Sequence, residues 1–184
     1  DTARRQMALH GEKLLSEAIE LANWTREELN KIPGIRCFGQ EKMGRAGIHN
    51  LDVTKVTINT SQLGISGFDF LDILNQRYFI QSEMATLTNV LEIVTLGNTK
   101  RDMLRLVWSV RALAEELLSR AVQVPEELQE AQKGKFVLPA IPEALMTPRE
   151  AFYAPTKRIP FAASAGEICG EIIAPYPPGI PILI

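Results

Sequence analysis

The sequence has few of the side chains from which catalytic and metal sites are usually built. Its 184 residues include two cysteines and two histidines. Cys37 and Cys169 are far apart and lack the spacing of metal ligands, so we expect buried reduced thiols rather than a disulfide. His10 falls in a helical pattern and His49 in a loop, and each is interpreted as a surface or packing residue. HExxH, CxxC, GxSxG and glycine-rich phosphate-binding motifs are also absent. Local patterns therefore predict no metal site and no catalytic centre.

Strong charge and long apolar runs are missing as well. The formal net charge is −2, and the lysines and arginines are scattered rather than clustered, which disfavours nucleic acid as a partner. No apolar run approaches the ~20 residues of a membrane-spanning helix, and no secretory signal peptide opens the sequence. With 46% hydrophobic and 23% charged residues, the composition is typical of a folded globular protein. We expect a cytoplasmic location.

Proline is nearly absent from the first two thirds of the sequence. Ten of the eleven prolines lie from Pro125 onward, so we divide the chain into a small domain at 1–124 and a different C-terminal segment at 125–184. The stretch from Thr147 to Glu150 is a capping box with proline at the first helical position, which predicts the start of a short helix. The sequence begins without methionine and ends on a run of apolar residues, and we expect a piece of a longer protein.

The first domain does contain clear hydrophobic periodicity. A helical stripe spans 2–32, with Arg26 among the charged residues outside it. Residues 55–97 then predict a strand, a helix over 67–78, a strand over 80–85 and one more strand, and Thr99 caps a second long helix. The residues expected to face the core are Phe68, Leu71 and Leu74 or Ile73 in the short helix, and Met103, Leu106, Val107, Val110, Leu113 and Leu117 in the second long helix. The sequence therefore predicts an α/β (α+β) fold, a small mixed sheet flanked by long helices, followed by a proline-rich segment.

Several glutamates in the predicted strands and in the C-terminal segment have alternative interpretations. Glu83 faces opposite to Met84, and it is either a solvated carboxylate at a sheet edge or a side chain presented to a cleft. Glu92 is surrounded by apolar residues; it is either buried with a partner or marks an exposed sheet face, and we expect the exposed face. Glu167 and Glu171 flank a cysteine and would point the same way in an extended segment. Such a pair can share a proton, bind a cation or simply be solvated.

Four stretches resemble one known family. They are LGISGFDFLDIL at 63–74, NVLEIVTLGNT at 89–99, TPREAFYAPTKRIP at 147–160 and GEICGEIIAPYPPGIPILI at 166–184. Together they are similar to the ornithine/lysine/arginine decarboxylases, bacterial pyridoxal-phosphate enzymes of the aminotransferase-like fold, and most to the shorter biosynthetic-type members. The resemblance implies a catalytic large domain that precedes a small α/β domain, like 1–124, and a C-terminal segment, like 125–184. It thus implies that this chain is the C-terminal portion of such an enzyme.

The family's cofactor lysine is missing from the sequence. In the family it stands in a Ser-x-His-Lys tetrapeptide of the large domain, and no lysine follows a histidine in this chain. The resemblance therefore implies pyridoxal 5'-phosphate attached to a lysine outside this chain, no catalytic residue within it, and no activity of the chain alone. As partners it implies the N-terminal large domain that binds the cofactor, and further copies in a homodimer or higher homo-oligomer. Glu92 stands where the family usually has a hydrophobic residue.

The resemblance also implies a substrate and three residues that would bind it. The substrate is a basic amino acid, either arginine, lysine or ornithine, which loses CO₂ to give a polyamine precursor. Glu83 aligns with a small-domain glutamate that faces the substrate's distal amine in related enzymes, a role that suits a charge-assisted hydrogen bond. Tyr176, held between prolines, and Glu171, at an acidic position of the family, are further candidates for the cleft. The sequence does not distinguish among the three amino acids.

The order of elements alone supports two other functions. Strand, helix, strand, strand and helix nearly complete a ferredoxin-like module, which would make the chain a small-molecule-binding regulator without chemistry. An oligomerisation domain is the purely structural alternative. The proline-rich extension of sixty residues argues against the regulator, because such modules seldom carry one.

Overall fold

The computed structural model describes residues 1–45, 47–120, 124–132 and 144–171. The chain divides into two units, Asp1–Phe136 and Val137–Ile184. The division lies C-terminal to the change in composition, so the short helix α4 (Glu126–Gln132) belongs to the first unit. None of the helices in the described ranges is long and apolar enough to cross a membrane.

Two long helices pack against each other in the first unit. These are α1 (Thr2–Asn30) and α3 (Lys100–Ser119). The start of α3 is a capping box, in which the Thr99 hydroxyl accepts from the Asp102 amide and the Asp102 carboxylate accepts from the Thr99 amide at 2.7 Å. The six residues that helical spacing predicts for the core face of α3 are all buried. The sequence prediction for α3 is therefore confirmed in both its start and its buried face.

Arg26 corrects the prediction for α1, because it is buried rather than solvated. Its Nε donates to the carbonyl of Phe38 at 2.9 Å, and its Nη2 donates to the carbonyls of Val53 at 2.9 Å and Lys55 at 3.2 Å. These backbone oxygens, together with Asn23 Oδ1, which accepts from Nη1 at 3.0 Å, satisfy guanidinium donors that burial removes from water. The charge pattern of a single helix carries no sign of these acceptors, which belong to segments that follow in the chain.

A four-stranded sheet supplies the second layer of the first unit. Its strands are β1 (Arg36–Cys37), β2 (Lys55–Asn59), β3 (Met84–Ala85) and β4 (Asn89–Ile93), in the order β1-β2-β4-β3. The fold class is confirmed, but all three pairings are antiparallel, whereas we expected a mixed sheet. The reason lies in the connection through α2 (Gly67–Tyr78). It returns β3 parallel to β2, but β4 lies between these two strands and is antiparallel to both.

The core lies between one face of the sheet and the helices. The strands contribute Val56, Ile58 and Val90, and Val94 follows directly after β4; all four are buried. The bounds of α2 match the predicted helix, but the predicted buried face is wrong in one position. Phe70 and Leu74 are fully buried, whereas Phe68 is 55% exposed. The buried face is set by Gly67, which packs against the β3–β4 hairpin, so the residues three and seven positions later face the core.

The described part of the second unit is held by local interactions. Helix α5 (Pro148–Tyr153) begins at a capping box formed by Thr147 and Glu150, as the sequence predicts. Lys157 Nζ forms an ion pair with Glu167 Oε1 at 2.7 Å. No residue of 144–171 is buried. The capping box and the ion pair are both exposed to solvent.

The two cysteines differ in environment. Both are free; Cys37 is buried and Cys169 is exposed. Burial raises the pKa of the Cys37 thiol to about 12, against a smaller effect of the Arg26 charge. The expectation of free thiols is confirmed, and that of burial is wrong for Cys169, which lies in the range 144–171, where no residue is buried.

Candidate functional site

The candidate site is the edge of the sheet at β3, where Glu83 lies. In the sheet, β3 pairs with β4 through Met84 opposite Leu91 and Ala85 opposite Val90. Regular strand structure is confined to Met84–Ala85, shorter than the strand predicted over 80–85. The hairpin is closed by the amide of Thr86, which donates to the carbonyl of Asn89 at 2.8 Å. Glu83 therefore immediately precedes a short edge strand, outside the regular ladder.

The hairpin is anchored to neighbouring elements at its turn. The Gly67 amide donates to the carbonyl of Leu87 at 3.0 Å, and the Thr60 amide donates to the carbonyl of Thr88 at 2.9 Å. A Cβ on Gly67 would lie 2.3 Å from the carbonyl oxygens of both Thr86 and Asn89. Only glycine permits this approach of α2 to the turn. The turn end of the sheet edge is thus held by two other elements.

A β-bulge displaces Glu83 from the regular register. The amide of Glu83 donates to the carbonyl of Leu91 at 3.0 Å, and Leu91 is also the residue that Met84 faces across the ladder. Two consecutive residues of one strand therefore oppose one residue of β4, which is the arrangement of a bulge. Beyond the bulge the register shifts by one residue, so that Ser82 comes opposite Glu92.

Ser82 and Glu92 form a buried pair behind Glu83. They are only 4% and 7% exposed, and the Ser82 hydroxyl donates to Glu92 Oε1 at 2.5 Å. Burial raises the pKa of the Glu92 carboxyl to about 7, and the hydrogen bond from Ser82 opposes this shift.

Glu92 corrects our expectation of an exposed sheet face. Of the two alternatives weighed for this residue, the buried one with a partner is right. The sequence contained a usable signal, because strand alternation places Glu92 on the same face as Val90 and Val94, both of which are buried. The partner, Ser82, carried no such signal, since only the bulge brings it opposite Glu92.

Glu83 itself is exposed, and Met84 is half-buried. Strand alternation predicts opposite directions for the two, so that Glu83 would face away from the core if Met84 faced it. Instead, Ala85 packs against the core and Ser82 is buried. These two residues are three positions apart, so a regular strand would place them on opposite faces. The bulge inserts one extra residue between them, so that both can face the core. Glu83 therefore lies outside the core because of the bulge, and not because of simple alternation.

The remaining candidates belong to the second unit or lie outside the described residues. Glu171 is exposed, and its carbonyl accepts from the Cys169 thiol at 2.7 Å. Glu167, which we considered as its partner in a carboxylate pair, forms the ion pair with Lys157. Tyr176 lies outside the described residues. Over the described ranges, no group of three or more His, Cys, Asp or Glu residues is placed to hold a metal ion.

The first unit has an open groove between α1 and the loop that leads into α3. Trp24 lines it, and the Lys100 Nζ lies 2.8 Å from the centroid of the Trp24 ring. Desolvation lowers the pKa of the Lys100 ammonium, against the nearby charge of Glu28. Lys100 is nevertheless exposed, and so far as the structure describes the chain, none of its lysines is buried. The groove does not provide the enclosed amine that covalent attachment of pyridoxal phosphate requires.

The chain is similar over its whole length to bacterial arginine decarboxylases. No protein-family model matches it. It is 40% identical over 184 residues to an arginine decarboxylase of Bacillus subtilis and 39% identical to one of Halalkalibacterium halodurans, in each case over 100% of this chain and 36% of the relative. An arginine decarboxylase of Bacillus cereus is 36% identical over 99% of this chain and 38% of its own length. The chain thus spans about a third of the length of the curated relatives it matches.

Two solved structures share the fold. A constitutive lysine decarboxylase of E. coli matches 94% of this chain and 34% of its own, with a TM-score of 0.59 and 18% identity. A lysine decarboxylase of Francisella novicida matches 68% of this chain and 22% of its own, with a TM-score of 0.50 and 20% identity. These structures show that the fold is shared, whereas the similarity in sequence is to arginine decarboxylases.

Proposed function

We propose that this chain is the C-terminal portion of a pyridoxal-phosphate-dependent decarboxylase that acts on a basic amino acid. The observation that carries the proposal is the similarity of the whole chain to arginine decarboxylases at 36–40% identity. The names of these relatives favour arginine over lysine and ornithine as the substrate. The products would be CO₂ and the corresponding amine, a polyamine precursor. The same similarity supports the enzyme over the ferredoxin-like regulator and the oligomerisation domain.

The residues described do not fit the attachment site of the cofactor. The Ser-x-His-Lys tetrapeptide is absent from the sequence, and the lysines of the described ranges are exposed or half-buried. We therefore assign pyridoxal 5'-phosphate to an N-terminal large domain outside this chain. The relatives are about three times as long as the part of them that this chain matches, which leaves room for such a domain. A homo-oligomeric assembly and a cytoplasmic location complete the proposal.

Glu83 would bind the distal cation of the substrate. It is an exposed carboxylate next to an edge strand whose turn is held by Gly67 at the start of α2 and by Thr60, directly after β2. A guanidinium can make two parallel hydrogen bonds to one carboxylate, and such charge-assisted bonds are about twice as strong as neutral ones. Tyr176 and Glu171 stay candidates for contact with the substrate, and Glu171 is exposed as that role requires.

The full-length protein that contains this chain provides the test of the proposed function. Its release of CO₂ should be measured with arginine, lysine and ornithine, each with and without added pyridoxal 5'-phosphate. We expect release from at least one of the three, strongest with arginine, and loss of activity when the cofactor is removed. A folded, cofactor-saturated protein that releases CO₂ from none of them would overturn the proposal.

The isolated chain of 184 residues should be inactive under the same conditions. We expect no CO₂ release and no covalent adduct with pyridoxal phosphate, because the attachment lysine is not part of it. Borohydride treatment followed by peptide mapping provides the measurement. A single lysine of this chain that carries the reduced cofactor would contradict the assignment to the large domain.

A further inference from the structure

The pair formed by Ser82 and Glu92 has no role in the function described so far. Glu92 is a carboxylate in an otherwise apolar layer, flanked on its face of β4 by Val90 and Val94. Among the described residues no cation pairs with it, and its hydrogen-bond donor is the hydroxyl of Ser82. A buried carboxyl group is costly unless it is hydrogen-bonded. A buried, hydrogen-bonded carboxyl group at this position has a consequence for the neighbouring strand.

That consequence is the choice between two registers of the hairpin. The pairs Met84–Leu91 and Ala85–Val90, continued by one residue without a bulge, would bring Glu83 opposite Glu92 on the core face. Two carboxylates would then face each other in a dry layer, where like charges repel strongly. The bulge avoids this by bringing Ser82 to the position opposite Glu92, where its hydroxyl donates to the carboxyl oxygen. Glu92 thus favours the bulged register and disfavours the regular one.

We propose that Ser82 and Glu92 are positioning residues, whose buried hydrogen bond maintains the bulge that keeps Glu83 on the outer side of the sheet edge. Two hydrogen bonds then fix the position of Glu83. Its own amide donates to the Leu91 carbonyl at 3.0 Å, and the preceding residue is bound to Glu92 at 2.5 Å. This inference rests on the proposed role of Glu83 toward the substrate. It assigns Glu92 no contact with substrate or cofactor.

Kinetics of the full-length enzyme test the positioning role. Ser82→Ala removes the donor, and Glu92→Leu removes the acceptor while it keeps the core filled with a residue of the type that the family resemblance puts there. We expect each to raise KM for the basic amino acid at least threefold, with kcat changed less than twofold. Glu92→Gln and Ser82→Thr preserve a hydrogen bond and should restore KM to within twofold of the parent. An unchanged KM in Ser82→Ala and Glu92→Leu would overturn the inference.

A double variant separates positioning from general damage to the fold. If Ser82 acts through Glu83, the Ser82→Ala change should alter KM less than twofold in a Glu83→Gln background. Multiplication of the two separate effects would mean that Ser82 acts by another route, and the inference would fail. As a control, Thr25→Val removes a buried hydroxyl that donates to the Leu21 carbonyl at 2.7 Å on α1, and it should leave KM unchanged.

Hydrogen exchange distinguishes failure of this inference from failure of the proposed function. In the full-length protein, Ser82→Ala should speed exchange at the amide of Glu83 at least tenfold, and Thr25→Val should not. Unchanged exchange would overturn the inference even if Glu83→Gln raises KM. Faster exchange combined with a normal KM in Glu83→Gln would overturn the substrate role of Glu83, and with it the positioning role of Ser82 and Glu92.

Discussion

Helices α3 and α5 begin with the same local device and differ in everything that follows. Each has a threonine N-cap whose hydroxyl accepts from the third helical residue, and an acidic residue there that accepts from the threonine amide. α3 then continues for 20 residues and buries eight of them. α5 continues for six residues and buries none. The capping box therefore marks where a helix starts but not how long it is. Of these two helices, the long one is the one with a buried face.

The same contrast separates the described parts of the two units. In the first unit, the sheet and the helices enclose one apolar core. In the range 144–171 no residue is buried, and the interactions there include a helix cap and an ion pair whose two partners are exposed. Exposed ion pairs contribute only about 0–1 kcal/mol. We therefore expect substitutions in the first unit to change the free energy of unfolding strongly, and substitutions in 144–171 to change it little.

The largest difference in the free energy of unfolding is expected between alanine variants of the two phenylalanines at the start of α2. Phe70→Ala removes a fully buried ring and should lower the free energy of unfolding by about 3–5 kcal/mol. Phe68→Ala removes a ring that is 55% exposed and should cost less than about 1 kcal/mol. Chemical denaturation of the 184-residue chain measures both. Equal losses would contradict the buried face that the structure assigns to this helix.

Glu92→Gln is expected to change the free energy of unfolding by a smaller amount, and that change should depend on pH. The pKa of Glu92 is raised from an ordinary 4.5 to about 7 in the folded chain, so the folded state keeps a proton that the unfolded state loses between these values. The stability of the parent should therefore fall as pH rises from about 4.5 to 7 and stay lower above it. The full shift corresponds to at most about 3 kcal/mol.

Glu92→Gln lacks this titration and should be the more stable protein at pH 8. Denaturation curves of parent and variant at pH 5, 6, 7 and 8 provide the measurement. A stability difference that does not change across this range would show that Glu92 does not hold a raised pKa.

The smallest effects come from the matched pair of helix caps. Thr99→Ala should lower the free energy of unfolding of the first unit by about 1 kcal/mol, since a cap is lost from a helix that packs on the core. Thr147→Ala removes the corresponding hydroxyl from α5 and should leave that unfolding transition unchanged. Thermal denaturation followed by near-ultraviolet circular dichroism reports on the tryptophans of the first unit. A similar decrease in both variants would remove the contrast between the two helices.

Local sequence signals are sufficient to predict a structural feature when a single helix or strand contains all the residues that determine it. The bounds of α2, the capping boxes and the buried face of α3 all follow from spacing along a single helix. The alternation of Val90, Glu92 and Val94 was equally local, and here our interpretation was wrong because we preferred solvent for an unpaired carboxylate. The strand period, and not the charge of the side chain, decides the burial of Glu92.

Other features depend on partners distant in the sequence and had no local signal. Arg26 is buried because backbone carbonyls from three later residues meet its guanidinium. The buried face of α2 follows from the contact of Gly67 with the hairpin turn. The bulge at Glu83 depends on the pairing of Ser82 with Glu92. The position of Glu83 outside the core was expected, but its cause became visible only in the structure.

The proposed role of Glu83 is to bind the distal cation of a basic amino acid in the full-length enzyme. KM for arginine, lysine and ornithine in Glu83→Gln tests it most directly, since the change removes the charge and keeps the size. A charge-assisted hydrogen bond contributes about 1.5–3 kcal/mol, so we expect KM for the preferred substrate to rise roughly 10- to 100-fold, with cofactor binding intact. Glu12→Gln, an exposed glutamate of α1, serves as the control and should match the parent. A Glu83→Gln enzyme that is folded and has the KM of the parent would contradict the claim.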